Sequence, residues 1–163
     1  LYRDSDKWDI LPEKEYWSEL FRVSKNQIVC GANYFMEYLN SSRGIVCWDK
    51  KQHMPTLSSW EFIWTSFDKV AKTFYCRSTD LDRFHPTQKP IDLYVFLLKN
   101  FAKEGDIILD THLGSGSSRI ACHYLNFEFV GCEINKDYFE KSNKRFESHT
   151  LNNTLFEEFT LQD

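Results

Sequence analysis

The stretch from residue 106 to residue 133 constrains this chain most. Asp106-Ile-Ile-Leu109 is a short apolar run leading directly into Asp110-Thr-His-Leu-Gly-Ser-Gly-Ser-Ser118, a pattern that predicts a strand ending in a glycine-rich turn. A helix follows with Ile120, Ala121, Tyr124 and Leu125 on its buried side, then a strand over residues 128–132 that ends at Glu133. A closing helix over residues 136–149 turns Tyr138, Phe139, Ser142 and Phe146 inward. This order is a βαβα unit of a parallel sheet, and it places the chain in the α/β class.

The rest of the chain fits around that unit. Tyr16, Trp17, Leu20 and Phe21 form one helical face over residues 13–24. Gln27-Ile-Val-Cys30 and Ile45-Val-Cys-Trp48 read as buried strands, and residues 60–65 and 72–77 as two more. Pro86 and Pro90 bracket a loop, after which Ile91, Tyr94, Leu97, Leu98 and Phe101 mark a helix that ends near Glu104-Gly105. Residues 150–163 read as a last strand around residues 155–161 or as a frayed tail.

With 163 residues and 42% hydrophobic composition, the chain suffices for one domain with a sizeable core, taken here as residues 1–163. No apolar stretch approaches the roughly 20 residues that span a bilayer, so the chain reads as soluble and cytoplasmic. Cys30, Cys47, Cys76, Cys122 and Cys132 lie far apart with no C-x-x-C pair, which favours reduced core thiols over a disulfide frame or a zinc site.

The net charge of −4 does not by itself point to nucleic acid, but its distribution is uneven. Residues 43–103 hold ten Lys and Arg against six Asp and Glu, while residues 104–163 hold five against eleven. Within that basic middle, residues 66–84 carry Lys69, Lys72, Arg77 and Arg83 together with Phe74 and Tyr75. Base-edge reading or phosphate contact suits such residues, and an ordinary charged loop suits them equally.

The turn at Asp110-x-x-x-Gly114-Ser115-Gly116 carries chemistry of its own. Glycines there let the backbone turn sharply and approach a ligand, and the next helix presents free N–H groups to it. A phosphate loop needs Gly-Lys-Ser/Thr, whereas Gly116 is followed by Ser117-Ser118-Arg119. The dinucleotide fingerprint fails at its third glycine, where Arg119 stands. A tight turn without a ligand remains the alternative. Against it, Glu133 lies 23 residues after Asp110 at the end of the adjacent strand, where an acid can accept both hydroxyls of a ribose.

His85-Pro-Thr-Gln-Lys-Pro90 is stiffened by two prolines, and Thr87, Gln88 and Lys89 offer donors for a carboxylate near the glycine loop. This loop, a helix of about a dozen residues, a strand and D-x-x-x-G-S-G-S-S together resemble the tenth and first motifs of the bacterial and phage N6-adenine and N4-cytosine DNA methyltransferases. Arg22-Val-Ser-Lys-Asn-Gln-Ile28 and Ile45-Val-Cys-Trp-Asp49 resemble the segments that follow the catalytic motif in the permuted class called beta.

That resemblance implies a class I, Rossmann-like S-adenosylmethionine-dependent methyltransferase fold, a mostly parallel sheet with helices on both faces. It implies that Asp110, His112, Gly114, Ser115 and Gly116 line S-adenosylmethionine, that Glu133 meets its ribose, and that Thr87, Gln88 and Lys89 meet its methionine end. It further implies double-stranded DNA as the partner, methylation of an exocyclic amino group with adenine N6 favoured over cytosine N4, a restriction-modification setting and a possible homodimer.

Two departures qualify the resemblance. Relatives often have Pro and Phe after the first acid, where this chain has Thr111 and His112; a polar lining suits His112 better than acid-base work, which transfer from a sulfonium hardly needs. The family also uses [Asp/Asn/Ser]-Pro-Pro-aromatic to hold the target amino group and stack on the flipped base. The four prolines here stand at 12, 55, 86 and 90, so no residue of the chain is assigned as the catalyst. The family order puts that tetrapeptide upstream of Leu1, and a chain opening on Leu1 reads as a fragment. A catalytically inactive remnant that keeps the cofactor fold or DNA binding is the alternative.

Overall fold

The computed structural model describes residues 11–53, 55–77 and 83–160, with side chains placed through residue 151. The chain divides into two compact units, residues 1–77 and residues 78–163. Residues 78–82 of the expected recognition segment lie outside the described residues.

The first unit begins with α1 (Lys14–Val23) and continues through β1 (Ile28–Cys30), a single 3-10 turn at Ala32–Tyr34, β2 (Ile45–Asp49), β3 (Trp60–Thr65) and β4 (Lys72–Tyr75). The sheet order is β1-β3-β2-β4. Both neighbours of β3 run antiparallel to it, with Ile28 opposite Thr65 and Ile45 opposite Trp64, whereas β4 joins β2 in parallel. Antiparallel pairing thus predominates in this unit, against the sequence expectation of a mostly parallel sheet. Parallel neighbours need a long crossover between them, whereas strands joined directly by a loop, as β2 and β3 are, can pair antiparallel. The expectation of two buried strands also needs correction, because β1 has one neighbour and is only half-buried. β2 sits between two strands and buries Val46 and Trp48 completely.

Aromatic side chains fill this unit. Trp17 on α1 is buried, stacks on Tyr38 at 5.4 Å and tilts against Phe35 at 5.0 Å. Trp48 and Trp64 are buried with their indole N–H groups donating to Cys76 O and Asn40 O, each at 2.8 Å. Such rings combine large apolar area with one polar atom that must find a partner.

The second unit contains α2 (Ile91–Phe101), β5 (Ile107–Asp110), α3 (Ser117–Tyr124), β6 (Glu128–Gly131) and α4 (Lys136–Thr160). β5 and β6 pair in parallel with Asp110 opposite Gly131, the crossover pairing that the sequence pattern predicts. Leu98, Ala121 and Cys122 form the centre of a core into which Ile108 and Phe129 pack from the sheet. Ile107, Leu109 and Val130, on the alternate positions of the same strands, are exposed. Leu93 is fully buried and joins the inner face of α2, while Ile91 and Tyr94 are only half-buried.

Two local expectations fail in α4. The helix does not stop at residue 149 and give way to a strand; its backbone continues through Thr160. Leu155, Phe156 and Phe159 stand at i, i+1 and i+4, a spacing that serves a helix as well as an apolar run serves a strand. Phe139 is exposed instead of inward, and the inner positions belong to Ser142 and Arg145.

The five cysteines are free, yet only Cys122 is buried and Cys132 is exposed, which corrects the expectation of core thiols throughout. Among the described residues no group of three or more His, Cys, Asp or Glu side chains is gathered for a metal ion, and no helix is long and apolar enough to cross a membrane.

Candidate functional site

The pairing of β5 with β6 continues past both strands. Cys132 N–H donates to Asp110 O and Leu113 N–H donates to Cys132 O, each at 2.9 Å. Asp110 and Glu133 are thereby held at the carboxyl ends of neighbouring parallel strands, where open α/β folds place their ligands. Between them the chain makes its glycine turn. Gly114 and Gly116 have φ of 52° and 75°, left-handed values that side-chain-bearing residues adopt only with strain. Gly116 N–H closes the turn onto Leu113 O at 2.9 Å, and Gly116 caps α3 without a side-chain bond.

Both carboxylates brace this turn. Glu133 accepts the Gly114 N–H at 2.8 Å on one oxygen and the Asn135 N–H at 2.9 Å on the other. Asp110 accepts the His112 N–H at 3.0 Å and the Ser118 hydroxyl at 2.5 Å. A carboxylate has about four acceptor positions, so each acid keeps capacity for hydroxyl or amino donors of a ligand.

The 85–90 loop comes against the same turn. The His85 ring occupies the side of Gly114 where a Cβ would project, with Cε1 only 3.3 Å from that position. Ser117 at the start of α3 donates its hydroxyl to Lys89 O at 2.7 Å. Within the loop, Gln88 is buried and folded back, its amide oxygen accepting the Phe84 N–H at 3.3 Å. Thr87 is exposed and Lys89 half-buried. Burial holds the His85 pKa below its ordinary value; the neighbouring Glu133 charge opposes this, while Lys89 and Arg83 add to it.

α4 supplies the third support. Arg145, 7% exposed, donates to Ser115 O at 3.2 Å and to Ser117 Oγ at 2.9 Å, and the Ser142 Cβ lies 3.3 Å from where a Gly116 Cβ would stand. On α3, burial pushes the Cys122 thiol up to about 12, with the Asp110 charge adding to the shift, so it stays protonated at neutral pH.

The structure therefore brings together Asp110, Gly114, Ser115, Gly116 and Glu133 with the loop bearing Thr87, Gln88 and Lys89. His112 stands at the exposed rim, its ring 3.0 Å from the Thr111 hydroxyl. Lys69, Lys72 and Arg77 belong to the first unit, with Lys69 and Arg77 exposed and Lys72 on edge strand β4. Arg83 belongs to the second unit, where its guanidinium donates to Pro86 O and His85 O. Sequence reasoning assigned no role to His85, Ser117, Ser118 or Arg145. The first three lie inside motifs it had recognised, whereas Arg145 sits on a helix face expected to be apolar.

A family model described as a DNA methylase, for N6 and N4 methyltransferases, matches residues 5–144. The chain belongs to the N6/N4 DNA methylase family. Its similarity to type II methyltransferase M.HpaI of Haemophilus parainfluenzae is 44% identity over 64 residues, covering 39% of this chain and 20% of that protein. Type II methyltransferase M2.DpnII of Streptococcus pneumoniae is 38% identical over 69 residues, covering 42% and 26%. The matches thus span about a fifth to a quarter of these relatives. Among solved structures, the M1.HpyAVI-SAM complex superposes with a TM-score of 0.71 at 19% identity, covering 83% of each chain. TTHA0409 from Thermus thermophilus, complexed with S-adenosyl-L-methionine, gives 0.58 at 16% identity, covering 82% of this chain and 74% of that one. These likenesses show the class I methyltransferase fold of this family member.

Proposed function

We propose that this chain forms the S-adenosylmethionine-binding part of a DNA methyltransferase that modifies an exocyclic amino group, with adenine N6 favoured over cytosine N4. The observation that carries this reading is the glycine turn held between Asp110 and Glu133 and braced by the 85–90 loop. The residues present fit an adenosyl ligand: the left-handed Gly114 and Gly116 make the sharp turn between the two acids, and Glu133 keeps acceptor capacity for ribose hydroxyls. Thr87, Gln88 and Lys89 stand for the methionine end, with the exposed Thr87 and the half-buried Lys89 as its direct contacts and Gln88 holding the loop's shape. His112 lines the rim. When bound, the cofactor supplies an electrophilic methyl group on a sulfonium centre. The chain's own part is to orient that group, through Asp110, Ser115, Gly116 and Glu133, toward a target amino nitrogen.

The two units together constitute one catalytic domain in this proposal, acting on double-stranded DNA in the cytoplasm as part of restriction-modification, as a monomer or homodimer. Residues 66–84 carry target recognition, with Lys69, Lys72 and Arg77 on phosphates or base edges, while Arg83 braces the 85–90 loop. No residue of these 163 is assigned to accept hydrogen bonds from the target amine, since no two prolines are adjacent.

Titration calorimetry with S-adenosylhomocysteine tests the cofactor site. Wild type is expected to bind and Asp110→Ala to bind at least about tenfold more weakly, a loss of about 1.4 kcal/mol. Failure of wild type to bind removes the proposal's support. Methylation of plasmid DNA by the parent protein, read by base analysis, separates adenine from cytosine targets and an active enzyme from an inactive remnant.

A further inference from the structure

We propose that His85 is a positioning residue that pins the 85–90 loop to the glycine turn and thereby shapes the methionine end of the cofactor site; this rests on the cofactor reading above. Three contacts in the second unit carry it. The imidazole fills the side of Gly114 left open by the missing Cβ, with Cε1, Nε2 and Nδ1 at 3.3, 3.4 and 3.5 Å from the position a Cβ would take. The ring also meets the Tyr138 ring on α4 edge-on, at 4.3 Å between centroids. Its Nδ1 accepts the Thr87 N–H at 3.3 Å and lies 3.2 Å from the Thr87 hydroxyl.

The ring therefore bridges three segments that are distant in sequence: the loop that carries it, the glycine turn and α4. Its two roles are chemically separable. Packing on Gly114 and Tyr138 needs a flat ring of this size. Orienting Thr87 needs an unprotonated Nδ1, because an imidazolium has no lone pair with which to accept the Thr87 N–H. The proton of the neutral ring then sits on Nε2. The charged and titratable groups around the ring are Arg83 and Lys89 on its own loop, Glu133 after β6 and Tyr138 on α4. Burial and the two cations favour the neutral ring, Glu133 opposes them, and the balance lies with the neutral form.

The test uses the full chain and S-adenosylhomocysteine as the probe, with calorimetry from about pH 5 to pH 8 and thermal melting in parallel. His85→Phe keeps a ring on Gly114 but removes the acceptor. It is expected to lower affinity about tenfold at neutral pH with a melting temperature close to wild type. His85→Asn places an amide oxygen near the Nδ1 position without the ring on Gly114, and is expected to recover part of that affinity with a lowered melting temperature. Wild-type affinity should fall as the ring protonates on acidification, and His85→Asn should lose that component of the pH profile. Wild-type affinity in His85→Phe, or an unchanged pH profile in His85→Asn, overturns the assignment while leaving the cofactor reading intact. If wild type itself fails to bind the probe, both fall. Should His85→Phe not fold, the pH profile of His85→Asn decides alone.

Discussion

The two units are stabilised by different kinds of buried group. In the first, the interior is made of large rings, Trp17, Trp48 and Trp64 among them, and the buried polar residues among those described are Gln27 and Thr65. In the second, the buried polar residues are Gln88, Ser115, Ser117, Ser118, Ser142 and Arg145, and almost all of them touch the glycine turn or the loop beside it. Large aromatic side chains bury the most apolar area per residue and bring one polar atom that needs a partner. Small hydroxyls contribute less apolar burial, yet each one fixes a particular carbonyl or carboxylate in place. The first unit is thus held by burial, and the second spends part of its interior on the shape of one turn.

Trp48→Ala is the strongest test of the first half of that contrast. The side chain is fully buried in the central strand β2 and its indole N–H holds Cys76 O. Truncation is expected to cost roughly 3–5 kcal/mol, read as a fall in the denaturation midpoint. A loss below about 1 kcal/mol would show that aromatic burial does not hold the first unit.

Arg145→Met tests the second half. Methionine keeps much of the stem's packing but leaves Ser115 O and Ser117 Oγ without the guanidinium. Hydrogen bonds from charged donors are worth about 1.5–3 kcal/mol, so a stability loss of that order is expected. Weaker binding of S-adenosylhomocysteine should accompany it, because the turn's backbone is freed. A stability loss with undiminished binding would mean that Arg145 supports the unit without shaping the turn.

How far the sequence discloses each region follows from the same contrast. The βαβα unit is legible because strand, glycine turn, helix and terminal acid are all consecutive in the chain, and the structure places β5, α3 and β6 within a residue or two of expectation. Asp110, Gly114 and Glu133 carry their signal as types at fixed spacing. The supports do not: Arg145 reaches Ser115 across 30 positions, and nothing in a lone cation on a helix says where its guanidinium points. His85 is visible inside its motif, but its packing on Gly114 depends on which face of the turn lacks a Cβ. The first unit's strands are legible one by one, whereas their antiparallel order is not, since short runs of β-formers carry no direction. In the tail, apolar spacing at residues 155, 156 and 159 suits either structure, and continuity with α4 decides for the helix.

Acidification sharpens the contrast by acting on one side of it. The folded-state pKa of His85 is lowered from 6.5, chiefly by burial, so below that pH the unfolded chain binds more protons than the folded one. His85 therefore costs no stability above about pH 6.5 and progressively more as pH falls through the window between that value and the lowered folded one. Melting temperatures of wild type and His85→Asn are expected to converge in their pH dependence at neutral pH and to separate on the acid side, with wild type losing more. Parallel curves throughout would remove His85 from the acid response.

The smallest effect expected lies within the aromatic unit and concerns a single N–H group. Trp64 donates its indole N–H to Asn40 O, whereas the buried Trp17 Nε1 has no hydrogen-bond partner among the described residues. A buried donor without a partner costs about 1–3 kcal/mol, comparable in size to the packing lost when Trp becomes Phe. For Trp17→Phe these two contributions oppose each other, and a change within about 1 kcal/mol is expected, with the stacking on Tyr38 and Phe35 largely retained. For Trp64→Phe they add, because the ring shrinks and Asn40 O loses its donor, so a larger loss is expected. Denaturant midpoints of the two variants make the comparison directly. Equal losses would mean that the Trp17 indole is satisfied in solution, and that this unit depends on polar pairing as much as the one around the glycine turn.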